Sequence, residues 1–457
     1  MSKRVVITGM GWITPLGHDV ASVWDRLLAG HSGIGAVTHF DASTCKTNFA
    51  AEIRNFQLAT FLSNTGQNEA STIRSLATAG FHDSAGISTQ YALAAATQAW
   101  RQAGLDKSPS KLRSRRMGMY LGAGEGSLDN ENFFATNLAG WDADKRTVDA
   151  VKWATAAYER MSAMKEIEQE PNLALSHLAA AFGCRGPSSN CMTACAASTQ
   201  AIGEAFETIK HSDADIMFAG GAHSMIHPIG MTGFIRLTAM SRRCDSPQTA
   251  ARPFDRTRDG FVMGEGAGML VLEELDHALA RGATPLVEIV GYGSTADAFR
   301  ITDIQADGLG AVGAMSEALR QAGVNPREPD ATGRAPVQYI SAHGTGTSEN
   351  DAIETKAVRT VFGSQAQRVP FSSVKSMLGH LIQAAGAVEL MTCVMAIKTG
   401  WVPPTMNLNE SDPECDLDYV PNKARDMNPI GGVDLCLSNS FGFGGQNDTI
   451  AVRRYTK

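Results

Sequence analysis

Cysteine is scarce in this chain, since 8 cysteines among 457 residues are too few for a disulfide-dense secreted scaffold. None of them forms a CxxC, and no tight Cys/His cluster has the ligand spacing of a zinc site. Uninterrupted apolar runs of about 18 residues, which a membrane span needs, are also missing. These absences predict a protein without a metal centre and without a membrane span.

Basic charge is not in excess either. The chain has 40 Lys and Arg against 47 Asp and Glu, a net charge of −7. Nucleic-acid-binding domains are usually basic, so we expect no nucleic-acid partner, although a local basic patch for an acidic partner stays open. The first residues, MSKRVVITGMGWITPLG, lack the continuous apolar core and cleavage site of a signal peptide. We therefore expect a cytoplasmic enzyme.

Several short apolar runs end in glycine, as buried strands often do. They are RVVITGMG (4–11), RMGMYLGAGEG (116–126), ADIMFAGGA (214–222), PLVEIVGYG (285–293), VQYISAHGTGT (337–347) and VDLCLSNSFGFGG (433–445). Segments with helical periodicity lie between them, at 90–105, 197–211, 310–324 and 380–400. This alternation predicts an α/β protein with a mainly parallel sheet.

The order of these patterns indicates an internal duplication. Four patterns of the first part contain ITGMG, LGAGEG, TACAAS and MFAGGA. Each has a similar pattern later in the chain, and these follow in the same order with EIVGYG, SAHGTG, LGHLIQ and SNSFGFGG. We predict an N-terminal half at 1–280 and a C-terminal half at 281–457. The polar segment 127–180 contains helix-forming runs such as DAVKWATAAYERMSAMKEIEQ, and we interpret it as a largely helical insertion in the first half.

Two cysteines stand four residues apart in NCMTACAASTQ (190–200), where an extended stretch runs into a helical segment. Cys195 is predicted near the first helical turn, where free backbone N–H groups and the helix dipole favour an anion and should lower the thiol pKa. Small neighbours leave room for a substrate. An inert buried thiol is the alternative for any lone cysteine, and Cys191, in the extended part, fits that alternative better.

A cysteine nucleophile needs partners, and two histidines are candidates. His343 follows the strand-like QYI in SAHGTGT and should lie at an open strand end. His380, in SMLGHLIQAAGA, is predicted at a helix start, where the dipole keeps an imidazole neutral and able to donate to an oxyanion. Backbone N–H groups of the glycine turn FGFGG (441–445) are candidates for an oxyanion hole. Taken singly, a structural role is the commoner one for each feature.

Together, these segments match a family. TACAAS, HGTGTSEND, KSMLGHLIQAAGA and NSFGFGG occur in this order and resemble the beta-ketoacyl-acyl carrier protein synthases. GGAHSMIHPIGMTGFIRLTAMS and ARPFDRTRDGFVMGEGAGMLVLE are similar to the same family. The resemblance covers most of the chain and implies the thiolase-like fold, a duplicated α/β core in five α-β-α-β-α layers. It also implies a homodimer.

The resemblance assigns the central chemistry to four residues. Cys195 would be the acyl-accepting nucleophile, and its backbone N–H and that of Phe443 would form the oxyanion hole. Phe443 also matches the gating phenylalanine of the family. His343 and His380 would serve decarboxylation of the malonyl extender and stabilise the resulting enolate. The implied reaction lengthens an acyl chain by two carbons in fatty-acid or polyketide synthesis.

Supporting positions follow from the same resemblance. Lys375 matches the family lysine, and Glu354 matches its expected ion-pair partner. Thr302, Thr345 and Thr347 match contacts of the pantetheine arm. The family binds no cofactor of its own, because its substrates arrive on the phosphopantetheine arm of acyl carrier protein.

Docking of this acidic carrier protein is implied for Arg243 and, less closely, for its neighbour Arg242; a solvated surface charge is the alternative for both. Arg300 stands where the family often has histidine, and segment 127–180 is longer than in typical members. The acyl chain is therefore left open.

Four alternative functions share parts of this pattern. A thiolase would need a second cysteine in the final glycine loop, and Cys436 lies too far back on the strand. A priming synthase would have asparagine in place of His380. A non-catalytic partner of the chain-length-factor kind would lack the nucleophile. A specialised secondary-metabolite ketosynthase with an unusual acyl substrate remains compatible with every motif.

Overall fold

The computed structural model describes residues 3–62, 80–107, 113–124 and 129–457. Short apolar segments bounded by turn residues form its strands. They are β1 (Val5–Ile13), β2 (Gly35–Ala36), β3 (Phe49–Ala50), β4 (Met117–Ala123), β5 (Trp141–Asp142), β6 (Thr147–Val148), β7 (Ser188–Cys191), β8 (Ile216–His223), β9 (Gly266–Glu274), β10 (Val287–Ala296), β11 (Tyr339–Ser341), β12 (Phe371–Ser372), β13 (Trp401–Val402), β14 (Arg425–Asp426), β15 (Leu435–Gly442) and β16 (Gln446–Arg453).

Helices fill the connections between the long strands. They are α1 (Val20–Leu28), α2 (Leu58–Leu62), α3 (Ile87–Gln102), α4 (Asn130–Gly140), α5 (Ala150–Arg160), α6 (Ala163–Ile167), α7 (Asn172–Phe182), α8 (Ala197–Lys210), α9 (Pro228–Arg236), α10 (Leu275–Ala280), α11 (Leu309–Gln321), α12 (Ser348–Phe362), α13 (Lys375–Leu378) and α14 (Ala385–Thr399). Short 3₁₀ turns at Ala194–Ala196 and Ile382–Ala384 precede α8 and α14.

One sheet of ten strands runs through both halves, in the order β12-β11-β15-β16-β10-β1-β9-β8-β4-β7. Each half contributes five strands to this sheet. Numbered within the half in chain order, they lie from the centre outward in the order first, fifth, fourth, second and third. β1-β9-β8-β4-β7 is thus matched by β10-β16-β15-β11-β12. This repeated order is the topology expected of an internal duplication, and antiparallel pairing of β1 with β10 joins its two copies.

The expectation of a mainly parallel sheet is wrong. Parallel pairing is confined to the outer strands, between β4 and its neighbours and between β11 and its neighbours. The inner strands pair antiparallel. The apolar-run pattern did not indicate the edge strand β12 or the long strands β9 and β16, none of which ends in glycine. Strand β16 returns from β15 through a tight turn, and such a hairpin can only be antiparallel.

Helices α8 and α14 pack together in the centre of the molecule. At their contact, a Cβ added to Gly386 would lie 1.8 Å from Oγ1 of Thr199, so only glycine permits the approach. Segment Ile382–Thr399 is the one stretch of the described residues with the length and hydropathy of a membrane span, and it is 89% buried inside the protein. It is the core helix that carries one wall of the site described next.

The predicted insertion is largely helical where the structure describes it; residues 127 and 128 lie outside the described residues. Helices α4 to α7 and the small hairpin β5–β6 lie between β4 and β7. Large apolar side chains of this segment are exposed: Phe134, Leu138, Trp141, Val148, Val151, Tyr158, Met164 and Ile167.

Candidate active site

Cys195 lies in the 3₁₀ turn between β7 and α8, and its side chain is buried. The preceding residue, Ala194, has a φ of +46°, a conformation that a non-glycine residue adopts only when its surroundings enforce it. Gly442 at the end of β15 packs against this turn. A Cβ there would come 2.9 Å from Thr193 O and 3.3 Å from Cys195 N. The glycine therefore allows the two halves of the chain to meet at the cysteine.

Three side chains from distant parts of the sequence converge at this point. Sγ of Cys195 and ring nitrogens of His343 and His380 all lie within 4.8 Å of one another. The two imidazoles meet edge to face, with centroids 5.5 Å apart and an interplanar angle of 82°. His343 follows β11, whereas His380 lies between α13 and the second 3₁₀ turn. His380 is thus not at the start of α14, where sequence analysis placed it.

The hydrogen bonds of the two rings define their tautomers. The Ile382 N–H donates to Nδ1 of His380 at 3.3 Å, and Nζ of Lys375 lies 3.4 Å from Nδ1 of His343. A backbone N–H and an ammonium group can only donate. Nδ1 is therefore the acceptor in both rings, and Nε2 carries the proton. Nε2 of His380 is buried without a partner among the described residues. The site therefore holds two N–H donors.

Both imidazoles are neutral. Burial lowers the pKa of His343 and of His380 well below the ordinary value, and the nearby charge of Lys375 lowers the pKa of each ring further. Their neutrality therefore arises from desolvation and a neighbouring cation. The predicted helix dipole is not its source.

Glu354 is not the ion-pair partner of Lys375. The Lys375 ammonium pairs instead with the Glu389 carboxylate, and both side chains are buried. Glu354 accepts the backbone N–H groups of His343 at 2.9 Å and Gly344 at 2.8 Å, so it braces the turn that carries His343. Glu389 is the single acidic residue of the apolar helix α14, and a buried acid in such a helix requires a partner. A lone acid in an apolar helical run is the sequence signal that points to this pair.

The Cys195 thiol is also not acidified, contrary to the expectation from its helix position. Burial raises its pKa to about 11, although the Lys375 charge and the backbone N–H of Phe443 act in the opposite direction. Desolvation of the thiolate therefore outweighs these stabilising groups. At neutral pH, Cys195 is a thiol that has to lose its proton during reaction.

Alkylation of Cys195 tests this protonation state. Because its pKa is raised, the reactive thiolate fraction should keep increasing by about tenfold per pH unit through pH 9. The iodoacetamide reaction, followed by peptide mass spectrometry, should show this rise, with the Cys195→Ala protein as the background control. A rate that levels off below pH 8 would show that the thiol is acidified after all.

A cavity of about 370 Å³ opens onto the three converging side chains. Thr302, Thr345, Thr347 and Phe443 line it with Cys195, His343 and His380. The hydroxyl groups of Thr345 and Thr347 lie 2.9 Å apart. Sequence-predicted residues from five separate segments thus meet along one passage.

The two arginines differ in their surroundings. Arg243 donates to Thr257 O at 2.5 Å, and its Nε lies 3.4 Å from Asp259, a residue of the cavity wall. Arg242 is exposed, and its backbone N–H donates to Asp259 at 3.1 Å. Both arginines therefore contact Asp259 of the cavity wall, Arg243 through its side chain and Arg242 through its backbone.

Comparison with protein families gives two adjacent matches. The family "Beta-ketoacyl synthase, N-terminal domain" matches residues 2–278, and "Beta-ketoacyl synthase, C-terminal domain" matches residues 286–409. Two curated relatives, both named 3-oxoacyl-[acyl-carrier-protein] synthase 2, are similar over the full length. The protein of Coxiella burnetii is 38% identical, and the alignment covers 99% of this chain and 99% of that protein. The protein of Synechocystis sp. is 40% identical, and the alignment covers 99% of this chain and 98% of that protein.

Solved structures of ketosynthases are similar to this chain over nearly its full length. A beta-ketoacyl synthase from Burkholderia phymatum matches with a TM-score of 0.83 at 32% identity, covering 99% of this chain and 100% of its own. A type II PKS acyl-carrier protein in complex with its ketosynthase bound to the hexaketide matches with a TM-score of 0.81 at 30% identity, covering 100% of both chains.

The fold and the Cys-His-His site define a condensing enzyme of the acyltransferase class. The chain belongs to the beta-ketoacyl synthase family. The resemblance found in the sequence and the thiolase-like fold that it implies are both confirmed.

Proposed function

We propose that this enzyme condenses an acyl group held on Cys195 with a malonyl group carried by acyl carrier protein. The products are carbon dioxide and a beta-ketoacyl chain two carbons longer. The observation that carries the proposal is the convergence of Sγ of Cys195 with two imidazoles within 4.8 Å. A nucleophile and two neutral N–H donors are the groups that this reaction requires.

In the first half-reaction, Cys195 attacks the thioester of an incoming acyl chain. The carbonyl oxygen becomes an oxyanion, for which the backbone N–H groups of Cys195 and Phe443 are the donors. Both N–H groups already act on the Cys195 sulfur, so they face the reacting atom. The bond to the pantetheine sulfur then breaks, and the thiol proton of Cys195 ends, in the overall balance, on that departing sulfur.

In the second half-reaction, the malonyl thioester enters the same cavity and loses carbon dioxide. The electron pair of the broken carbon–carbon bond forms an enolate, whose oxygen accepts hydrogen bonds from Nε2–H of His343 and His380. The enolate carbon attacks the acyl carbon on Cys195, and the Cys195 sulfur leaves. Lys375 positions His343 through its Nδ1 contact.

The pantetheine arm would lie in the passage lined by Thr302, Thr345 and Thr347, whose hydroxyl groups suit its amide groups. Phe443, half-buried in the final glycine turn, would open and close the passage at the nucleophile. In this proposal the enzyme keeps no resident cofactor or metal, because the substrate brings the arm.

Acyl carrier protein would dock at the cavity entrance. Arg243 and Arg242 place positive charge there, and complementary charge accelerates encounter with an acidic partner. The similar ketosynthase bound to an acyl-carrier protein supports this choice of partner.

We propose a homodimer as the working form. Among the described residues, β7 is the last strand of the sheet and pairs on one side only, with β4, and such an edge is a template for a second strand. Exposed apolar side chains of the neighbouring insertion, among them Trp141 and Val151, would gain burial in the same contact. Light scattering should give a dimer mass; a monomer mass at micromolar concentration would refute this part.

A cytoplasmic location is also part of the proposal. All eight cysteines, Cys195 among them, are free. Free thiols are typical of a reducing compartment.

A panel of acyl chains tests the reaction and the pathway together. Purified enzyme would receive acyl-carrier protein loaded with straight, branched or polyene chains, together with malonyl-carrier protein. The proposal predicts a beta-ketoacyl product two carbons longer for at least one chain class. A preference for straight saturated chains would assign fatty-acid synthesis, and a preference for unusual chains the specialised ketosynthase. No condensation with any chain would refute the proposal and favour a non-catalytic partner.

A further inference from the structure

A buried histidine outside the proposed catalytic group is bonded to the turn beside it. His223 is the last residue of β8 and is 2% exposed. Its Nδ1 forms a hydrogen bond with Oε1 of Gln383, the middle residue of the turn Ile382–Ala384. An amide oxygen only accepts, so Nδ1 of His223 carries the proton and donates. This bond ties the end of a strand in the N-terminal half to a turn of the C-terminal half.

The anchored glutamine is held on several sides. Its side chain crosses Gly124, where an added Cβ would lie 2.1 Å from Nε2 of Gln383. The backbone of β8 also packs on this turn, because a Cβ on Gly221 would lie 2.4 Å from Gln383 O. Gln383 therefore packs directly against the backbone at the ends of β4 and β8.

The residue before the glutamine is strained and faces His380. Ile382 has a φ of +40°, a marked outlier for a β-branched residue. Its N–H donates to Nδ1 of His380, the bond that leaves the proton on Nε2. Because the following helix α14 is fixed in the core, relaxation of Ile382 to a negative φ would require the Leu381–Ile382 peptide plane, which carries this N–H, to reorient. The strained turn thus fixes the tautomer only while its neighbours hold it.

The duplicated halves show why an anchor is available here. In the first half the equivalent strained turn is Ala194–Ala196, with Ala194 at φ +46°, and its middle residue is the nucleophile Cys195. In the second half the middle residue is Gln383. The position that must be free for chemistry in one turn is thus occupied by an anchored side chain in the other.

We propose that His223 is a positioning residue, which acts through Gln383 and the strained Ile382 turn to keep His380 in its Nε2–H tautomer. The inference deepens the proposed function, because it rests on His380 as a donor to the enolate. Its consequence is selective: loss of the anchor should weaken malonyl decarboxylation, which uses His380, more than acylation of Cys195, which uses backbone N–H groups.

Four variants test this. His223→Leu and Gln383→Leu each remove the bond, and each should slow decarboxylation of malonyl-carrier protein by about fivefold, the value of one hydrogen bond. Acylation of Cys195 should stay within about twofold. His223→Asn should restore decarboxylation, because its amide N–H takes the place of Nδ1–H. The double Leu variant should lose no more than either single one, since both remove the same bond.

A matched control is His82→Leu, which removes another buried histidine with an unpartnered Nε2, at a distance from the cavity lining. It should leave both half-reactions unchanged. Equal losses in both half-reactions for the Leu variants, or a His223→Asn protein as slow as His223→Leu, would overturn the inference. Failure of the wild-type enzyme to decarboxylate malonyl-carrier protein would instead refute the proposed function itself. Unchanged decarboxylation in both Leu variants would refute the role of His223 and leave the proposed function intact.

Discussion

Replacing Cys195 by alanine should abolish formation of the acyl-enzyme, whereas Cys191→Ser should leave it largely intact. Cys195 lines the cavity and faces both imidazoles. The Cys191 thiol donates to Ala197 O at 3.2 Å, and burial raises its pKa to about 12. The second cysteine is thus a structural residue of β7 without a partner for catalysis.

Intact-protein mass spectrometry after incubation with acyl-carrier protein measures this directly. The wild-type and Cys191→Ser proteins should each gain the mass of one acyl group, and Cys195→Ala should gain none. The Cys191 variant is the matched control, because it removes a neighbouring thiol on the same segment. An adduct lost from Cys191→Ser and kept in Cys195→Ala would reverse the assignment.

Replacing His380 by alanine should slow decarboxylation of malonyl-carrier protein far more than acylation of Cys195. The variant loses one of two N–H donors to the enolate, a change that typically costs on the order of 3 kcal/mol of barrier, or about 100-fold in rate. The acylation step keeps its own donors, the backbone N–H groups of Cys195 and Phe443.

Release of labelled carbon dioxide and mass-spectrometric detection of the acyl adduct follow the two half-reactions separately. His211→Ala serves as a control, because this exposed histidine caps α8 far from the cavity lining. It should leave both rates unchanged. Equal losses in both half-reactions of the His380 variant would refute the division of labour between imidazoles and backbone.

The sequence predicted the buried strands that end in glycine, since apolar runs with turn residues leave few other structures. It did not predict strand direction. β9 ends in Glu273 and Glu274, where Glu273 is bound by Arg281 and His277, and β16 begins with polar residues. The polar residues of these two strands are buried because the folded chain gives them polar partners, so their burial is not visible in the sequence.

The convergence of Cys195, His343 and His380 could be predicted from the family resemblance, because no local pattern relates segments so distant in sequence. Finer features depended on packing. Lys375 pairs with Glu389 and not with Glu354 because of where α14 lies in the folded chain, which no local sequence pattern shows. For the Cys195 thiol, the favourable helix position was visible in the sequence, but the depth of burial that outweighs it was not.

If the proposed reaction is correct, one acyl group on Cys195 is consumed for each malonyl group decarboxylated. Enzyme acylated in advance and freed of excess donor would be mixed with malonyl-carrier protein carrying a labelled carboxyl group. Carbon dioxide release, loss of the Cys195 adduct and appearance of a product two carbons longer should proceed together in equal amounts. Carbon dioxide released while the adduct persists, or an adduct lost to water without chain extension, would contradict it.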